Sequence, residues 1–493
     1  MSEQNLKQVL AKKQAILQGD ADRIAKQRAA GKLTARERVM KLLDAGSFVE
    51  MDALVSRGED YAGVITGYGT VQDRPVYLFA QDFTVHGGAM GEGQAAKICK
   101  VLDLAQKTGA PVIALCDSAG VRVDEGAAAM NAYASIYNKM AKLSGVVPMI
   151  ALVLGPVVGG AALMAQLADV SIEASGVGQL MVYGPQVVSA MTGKTFDGKT
   201  LGGADAMAAQ GGVALTAENE DEAISLAVQV LDLLPGSNAE DAPIVDTDDL
   251  NRVLPAIDAD DSDALLGAMA DGASYIELYK AWGKELRVAL TRMGGRTVGL
   301  VAGNAKENDG MLTPAAAAKA ARFIRFCDCY SIPVVSLINS KGVAVPDAKA
   351  QSWTMITAAQ LLYAYAEATT PKVSVIVGNA IGQAYVAMGG KANADMTYAW
   401  PGAVISALTP EAAVQVLYVD ELKADTKPAL ETRADLEAKF AADVADGVAA
   451  AKAGMIDDVI DPAETRKHVI AALEMLSSKR ESNPPKKHGN LPL

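Results

Sequence analysis

"GPVVGGAALMAQLAD" (Gly155–Asp169) and "GNAIGQAYVAMGGKANAD" (Gly378–Asp395) decide the fold of this chain. Each follows an uncharged apolar run, "MIALVL" or "VSVIV", and each places a glycine at the turn before a helix-like segment. An apolar run of about six residues bounded by turn residues reads as a strand buried on both faces. Outward from the pair, "RPVYLFAQD" (Arg74–Asp82) lies over "RTVGLVAGN" (Arg296–Asn304), a shift of 296 − 74 = 222 residues. The same shift sets Lys97 on Lys319, Pro111 on Pro333 and Gly120 on Gly342. One residue more sets Gly159 on Gly382 and Gly160 on Gln383, and three more bring Asp169 onto Asp395. A shift that persists through strands, helices and turns marks an internal duplication.

Each copy reads as strand, long helix, strand, loop, strand, glycine turn, helix. That alternation predicts α/β layering with helices covering a largely parallel sheet. The acidic, proline-containing stretch Leu233–Asp263 separates the copies, giving expected domains at 1–245 and 264–493. Between Leu143 and Leu167 there is no charge, which is long enough to cross a bilayer. Pro148, Gly155-Pro156 and Gly159-Gly160 break that stretch, so it reads as strand, turn and buried helix.

The formal charge of −13 argues against nucleic acid as a partner, because phosphate binding needs a basic surface. Cys99, Cys116, Cys327 and Cys329 have no disulfide or zinc spacing and read as reduced thiols of a cytoplasmic protein. The first residues form a charged amphipathic helix without a signal peptide's apolar core. The last, "SSKRESNPPKKHGNLPL", read as an extended surface arm.

Few residues in the chain suit side-chain chemistry. Of three histidines only His86, in "QDFTVHGGAMGE", sits beside glycines in a loop, and no nucleophile elbow, P-loop or metal cluster occurs. The glycine turns offer another chemistry. A helix N-terminus leaves N–H groups without intrahelical partners, and glycine lets a ligand come close to them. Strand, Gly-Gly, helix therefore aims amide donors at a developing negative oxygen. The same glycines would also serve simply to pack a helix tightly on a sheet.

"GKLTARERVMKLLDAGSF" (Gly31–Phe48), "QDFTVHGGAMGE", "GPVVGGA", "RTVGLVAGN", "KAARFIRFCDCYSIPVV", "YAYAEATTPKVSVIV", "AWPGAVI" and "AGMIDDVIDPAETR" follow in order along the chain. With that order and spacing the chain resembles, end to end, the carboxyltransferase subunits of biotin-dependent acyl-CoA carboxylases and of acyl-CoA decarboxylases. The resemblance implies two tandem crotonase-like domains. It implies an acyl-CoA against the N-terminal half, its thioester oxygen held as an enolate near Gly159 and Gly160. Ala119, Gly120 and Val121 would border that pocket. It implies biotin, carried on another protein, entering the C-terminal half with its ureido oxygen near Gly382, Gln383 and Ala384, beside Tyr385 and Val386. No metal is implied, and biotin itself can take or give the proton.

Partners implied are a biotin carboxyl carrier protein and either a biotin carboxylase or a membrane-embedded decarboxylase subunit, which would bring a cytoplasmic protein to the membrane. The half-sites would come from different subunits of a dimer-based assembly, typically a hexamer. Several positions depart from the family pattern. Ser118-Ala119-Gly120-Val121-Arg122 stands for "SGGAR", Gln383 for a glycine, Val386 for an acid, and "NSKGVAVPD" (Asn339–Asp347) for "DVPGFLPG". These departures cluster in the biotin-facing half, and they lean the reading towards a methylmalonyl-CoA-type decarboxylase over an acyl-CoA carboxylase. A biotin-independent crotonase would need a base, for which Glu125 is the candidate. A non-catalytic assembly subunit would have lost the biotin side altogether.

Overall fold

The computed structural model describes residues 3–57, 60–246, 248–345, 350–423 and 429–490. The chain forms two compact units, Met1–Asp241 and Ala242–Leu493. Each holds, among the described residues, one eight-stranded sheet.

In the first unit the strands are β1 (Val49–Met51), β2 (Val64–Val71), β3 (Arg74–Gln81), β4 (Val112–Ser118), β5 (Met149–Val158), β6 (Val170–Ala174), β7 (Gln179–Met181) and β8 (Leu215–Ala217). Their spatial order is β1-β2-β3-β4-β5-β6-β8, with β7 also pairing β5. β1 to β3 are antiparallel, and from β3 onward every pairing is parallel. The second unit repeats the plan with β9 (Tyr275–Leu278), β10 (Leu286–Met293), β11 (Arg296–Gly303), β12 (Val334–Ser340), β13 (Lys372–Ile381), β14 (Met396–Ala399), β15 (Val404–Ser406) and β16 (Asp458–Val459). Their order is β9-β10-β11-β12-β13-β14-β16, with β15 on β13. The two sheets match strand for strand, as a duplication requires.

The helices that matter here are α1 (Glu3–Gln18), α2 (Ala21–Ala29), α3 (Ala35–Leu42), α4 (Glu92–Thr108), α5 (Ala127–Leu143), α6 (Gly160–Gln166), α7 (Pro185–Thr192), α8 (Gly198–Gly202), α9 (Ala204–Ala209) and α10 (Glu220–Asp232). In the second unit they are α11 (Ser262–Met269), α12 (Pro314–Cys329), α13 (Gln351–Glu367) and α14 (Gly382–Ala387). Local sequence explains their ends. Thr34 caps α3 through a capping box with Glu37, Gly109 closes α4 in the left-handed region, and Thr313-Pro314 opens α12. α1 buries no residue, so its apolar face is uncovered within the chain.

The central strands are buried along almost their whole length, and each sheet is sealed by an apolar cluster against its helices. The uncharged stretch Leu143–Leu167 is β5 followed by α6, and no described helix is long and apolar enough to cross a membrane. The division between units falls inside the stretch read as a linker. Part of that stretch is packed structure: Leu254 is buried in the second core, and its N–H bonds the Ala463 carbonyl at 2.8 Å. All four cysteines are free thiols.

Candidate functional site

β4 and β5 run parallel and stay paired out to Ser118 and Val157, so the loops leaving them start side by side. Gly120 (φ 112°) closes the gap, for a Cβ built there would lie 3.4 Å from the Val158 carbonyl. In the first loop the Ala119 N–H bonds the Gly87 carbonyl at 2.8 Å, and the Gly120 N–H bonds the Ser118 hydroxyl at 3.2 Å. The Val121 N–H has no partner among the described residues. In the second loop the Gly159 N–H donates to the Met181 carbonyl at 3.0 Å, while the Gly160 N–H, at the start of α6, has no partner there either.

This corrects the sequence reading on one point. Gly159 is not a free donor. Its amide anchors the turn to β7, and it is glycine because φ is 61°. The unengaged pair is Val121 and Gly160, with Ala119 and Gly120 as framework between them.

Two tyrosines that sequence reasoning missed hold both loops from below. Tyr133 of α5 donates to the Gly120 carbonyl at 2.9 Å, and Tyr137, one helical turn on, donates to the Gly160 carbonyl at 2.8 Å. Their rings stack with centroids 5.7 Å apart. A Cβ at Gly160 would sit 2.6 Å from the Tyr133 ring, so that glycine is fixed by the ring beneath it. Burial drives the Tyr133 hydroxyl far above its ordinary pKa and pushes Tyr137 up to about 12, so both remain donors.

Below the end of β4 lies a buried ion network. Asp117 accepts from Lys32 Nζ at 2.8 Å and from Arg38 Nη1 at 2.9 Å, and Arg38 also grips Glu220 of α10 at 2.7 Å. Its second nitrogen reaches the Leu154 carbonyl of β5 at 2.6 Å. Burial opposes the Arg38 charge, yet contacts with Glu220 and Asp117 outweigh it and raise its pKa. Burial lowers the Lys32 pKa, with Asp117 opposing. The "GKLTARERV" stretch thus ties α3 to the strand that delivers the first loop. Beside it Arg23, Lys26, Lys32, Phe83, Thr84 and His86 line a cavity of about 360 Å3 with a basic wall. Lys32 Nζ stands 4.0 Å from the centre of the Phe83 ring.

The second unit repeats the backbone and drops the clamps. The Lys341 N–H bonds Asp309 O at 3.2 Å, the Gly342 N–H bonds Ser340 Oγ at 3.3 Å, and the Val343 N–H has no partner among the described residues. Gly382 (φ 56°) turns the chain into α14 and places Gln383 and Ala384 in its first turn. α5 and α13 each have 17 residues, and the positions held by Tyr133 and Tyr137 are Thr357 and Leu361. Among the described residues Thr357 bonds only its own helix. With no tyrosine ring there, Gln383 fits where Gly160 is required, and it is exposed.

Asp117 is matched by Asn339, whose amide bonds Ala259 O at 3.0 Å and Asp260 at 2.8 Å, with no ion pair. Tyr385, expected as a pocket wall, is turned into the core with Ile338 and Ile376. Its hydroxyl accepts from the Lys391 N–H at 3.2 Å. Val386 is exposed. Pro346 and Asp347 of "NSKGVAVPD" lie outside the described residues.

Glu125 is not placed as a base. Its carboxylate accepts the Glu92 N–H at 2.8 Å and closes the first turn of α4, and Arg122 stands 3.5 Å from it. No group of three metal-binding side chains occurs among the described residues.

Unengaged amide donors recur at matching places of a duplicated α/β frame, and comparison with known proteins names the family. The carboxyl transferase domain matches residues 26–491, and the chain belongs to that family. It is 40% identical to a putative propionyl-CoA carboxylase beta chain of Bacillus subtilis (strain 168), over 98% of both chains. It is also 40% identical to the methylmalonyl-CoA decarboxylase subunit alpha of Veillonella parvula, over 96% of both. A crystal structure of transcarboxylase 12S, a hexamer with methylmalonyl-coenzyme A and methylmalonic acid bound, superposes with TM-score 0.94 at 35% identity, covering 100% of this chain and 99% of that one. The chain is therefore an acyl-CoA carboxyltransferase with two crotonase-like domains.

Proposed function

We propose that the protein moves a carboxyl group between a methylmalonyl- or propionyl-CoA-like thioester and biotin borne on a separate carrier protein. The observation that carries this reading is the duplicated turn. In each unit an amide in the loop after the third long strand (Val121, Val343) and one in the first turn of the helix after the fourth (Gly160, Gln383) have no partner among the described residues. In the first unit, Val121 and Gly160 would take the thioester oxygen as it becomes an enolate oxygen. Preorganised donors of this kind are worth about 3 kcal/mol each in the transition state. The basic cavity of Arg23, Lys26 and Lys32 suits the phosphates of coenzyme A.

In the second unit the Val343 and Gln383 amides would take the ureido oxygen of biotin as it becomes an oxyanion, with a neutral Asn339 in the place of Asp117. Biotin, when bound, supplies the ureido nitrogen that carries the carboxyl. The chain's part is to hold both oxygens, orient the thioester α-carbon and keep water away. Gln383 and Ala384 would contact biotin, and Val386 would border it.

The exposed residues around both turns, Val123, Leu163 and Val182 in one unit and Val345, Val386 and Leu408 in the other, suit burial in a dimer-based hexamer whose half-sites come from different subunits. The Asn339–Val345 departures favour the decarboxylase direction, with a membrane-embedded partner subunit, over pairing with a biotin carboxylase. Purified protein offered malonyl-, methylmalonyl- and glutaconyl-CoA should decarboxylate one of them only when biotin is added. Silence across the panel from folded protein, or turnover indifferent to biotin, overturns the proposal.

A further inference from the structure

Glu173 lies on β6, in register with Val153 of β5 and Thr216 of β8, and is fully buried. Among the described residues neither carboxyl oxygen has a hydrogen-bond partner. An ionised carboxylate in such a place costs several kcal/mol, so the group is carried as the neutral acid. Among the described residues no neighbouring charge offsets it. β5, β7, β8 and α6 carry no titratable side chain. On α10, Glu220 is taken by Arg38, and on α9 Asp205 is a second acid whose field opposes ionisation. The equivalent position in the second unit is Ala399, paired with Ile376.

The side chain bears directly on the acyl-CoA-side turn. A Cβ built at Gly178 would lie 2.7 Å from Glu173 Cγ, so the Gly178 backbone rests on the Glu173 side chain. The next three residues are β7, and the last of them, Met181, accepts the Gly159 N–H at 3.0 Å. β7 is only three residues long and, among the described residues, pairs β5 alone. We propose that Glu173 is a positioning residue for the Gly159–Gly160 turn, holding β7 and Met181 in place only while its carboxyl is neutral. Ionisation brings water to the carboxylate at Gly178, frees β7, and lets go of the Gly159 amide. The acyl-CoA half of the site then carries a pH dependence that the other half lacks. The catalytic consequence rests on the proposed function; the structural one does not.

The test is hydrogen exchange on the full-length protein from pH 6.5 to 9.5, corrected for intrinsic base catalysis, in the wild type, Glu173→Gln and Glu173→Met. Peptides spanning Gly159 and Gln179–Met181 should lose protection about fivefold in the wild type as pH rises through about 8, the value to which burial lifts Glu173. Both variants should stay flat, as should the peptide spanning Gly382 in every protein. A wild type with no loss, or variants that lose protection equally, overturns the proposal. In parallel, kcat/KM for the acyl-CoA should fall over the same range in the wild type and not in Glu173→Gln. If no protein turns over any acyl-CoA, the proposed function fails while the exchange result still decides the role of Glu173.

Discussion

The two glycine turns share a backbone and differ in what lies beneath it. The first is clamped by Tyr133 and Tyr137 and stands over the Lys32–Asp117–Arg38–Glu220 network. The second has Thr357 and Leu361 in place of the tyrosines and a neutral Asn339 in place of the aspartate. Duplication set where the amides point, and the later divergence set how rigidly each pair is held. A thioester oxygen gains a full charge as the enolate forms, so fixed donors help it most. In the proposed reaction the ureido oxygen also takes up charge as biotin gives up the carboxyl, and the second turn would meet it with amides on a less clamped frame.

The largest effect should come from the network. Asp117→Asn leaves Lys32 and Arg38 short of a counter-charge in a buried place, and a loss of about 3–5 kcal/mol in unfolding free energy is expected. Asn339→Ala should lose about 1 kcal/mol, measured by the same denaturant titration. Equal losses would erase the distinction between the two frames.

Next comes Gly160→Ala. The new methyl meets the Tyr133 ring at 2.6 Å, and that ring cannot swing away without breaking its bond to Gly120. Overpacking should cost about 1–3 kcal/mol and displace the amide, lowering kcat about 100-fold. Gln383→Ala should leave stability within about 0.5 kcal/mol, because the side chain is exposed. Tyr133→Phe keeps the ring and removes one hydrogen bond, so about 1 kcal/mol and a smaller drop in kcat are expected. Kinetics of the three variants, side by side, rank the clamps.

A pH effect is shared by both units. Lys97 and Lys319 are buried at matching places and donate to Val64 O at 2.5 Å and Trp282 O at 2.6 Å. Burial pulls each ammonium from 10.5 down to about 8. The unfolded chain therefore binds more protons than the folded one between about pH 8 and 10.5. The contribution of these groups to stability rises with pH across that window and is lost as pH falls through 8. Thermal unfolding at pH 8 and 10 should show the rise in the wild type and a flatter response in Lys97→Met and Lys319→Met alike. A response confined to one variant would break the symmetry of the frame.

The duplication, the alternation of strands and helices and the turns are legible because they rest on local patterns, namely apolar runs, a constant shift and glycines at matching places. The sequence does not tell the Gly159 amide, which is taken by Met181, from the Gly160 amide, because which of them is engaged depends on where β7 docks, and no local pattern reports that. Tyr133 and Tyr137 looked like ordinary helix residues. Their meaning lies in contacts to Gly120 and Gly160 across a strand boundary. Tyr385 follows the turn and so reads as a pocket wall, yet α14 rotates it into the core. Glu173 did leave a signal, an acid inside the apolar strand "VSIEA", that pattern reading passed over.

The central claim is that each turn serves one of two substrates, and Gln383→Pro tests it most directly. Proline is tolerated in the first turn of a helix and removes the one amide in question. The account predicts that biotin-dependent transfer from methylmalonyl-CoA falls about 100-fold while acyl-CoA affinity is unchanged. Full transfer by this variant, or a parallel loss of acyl-CoA binding, would contradict it.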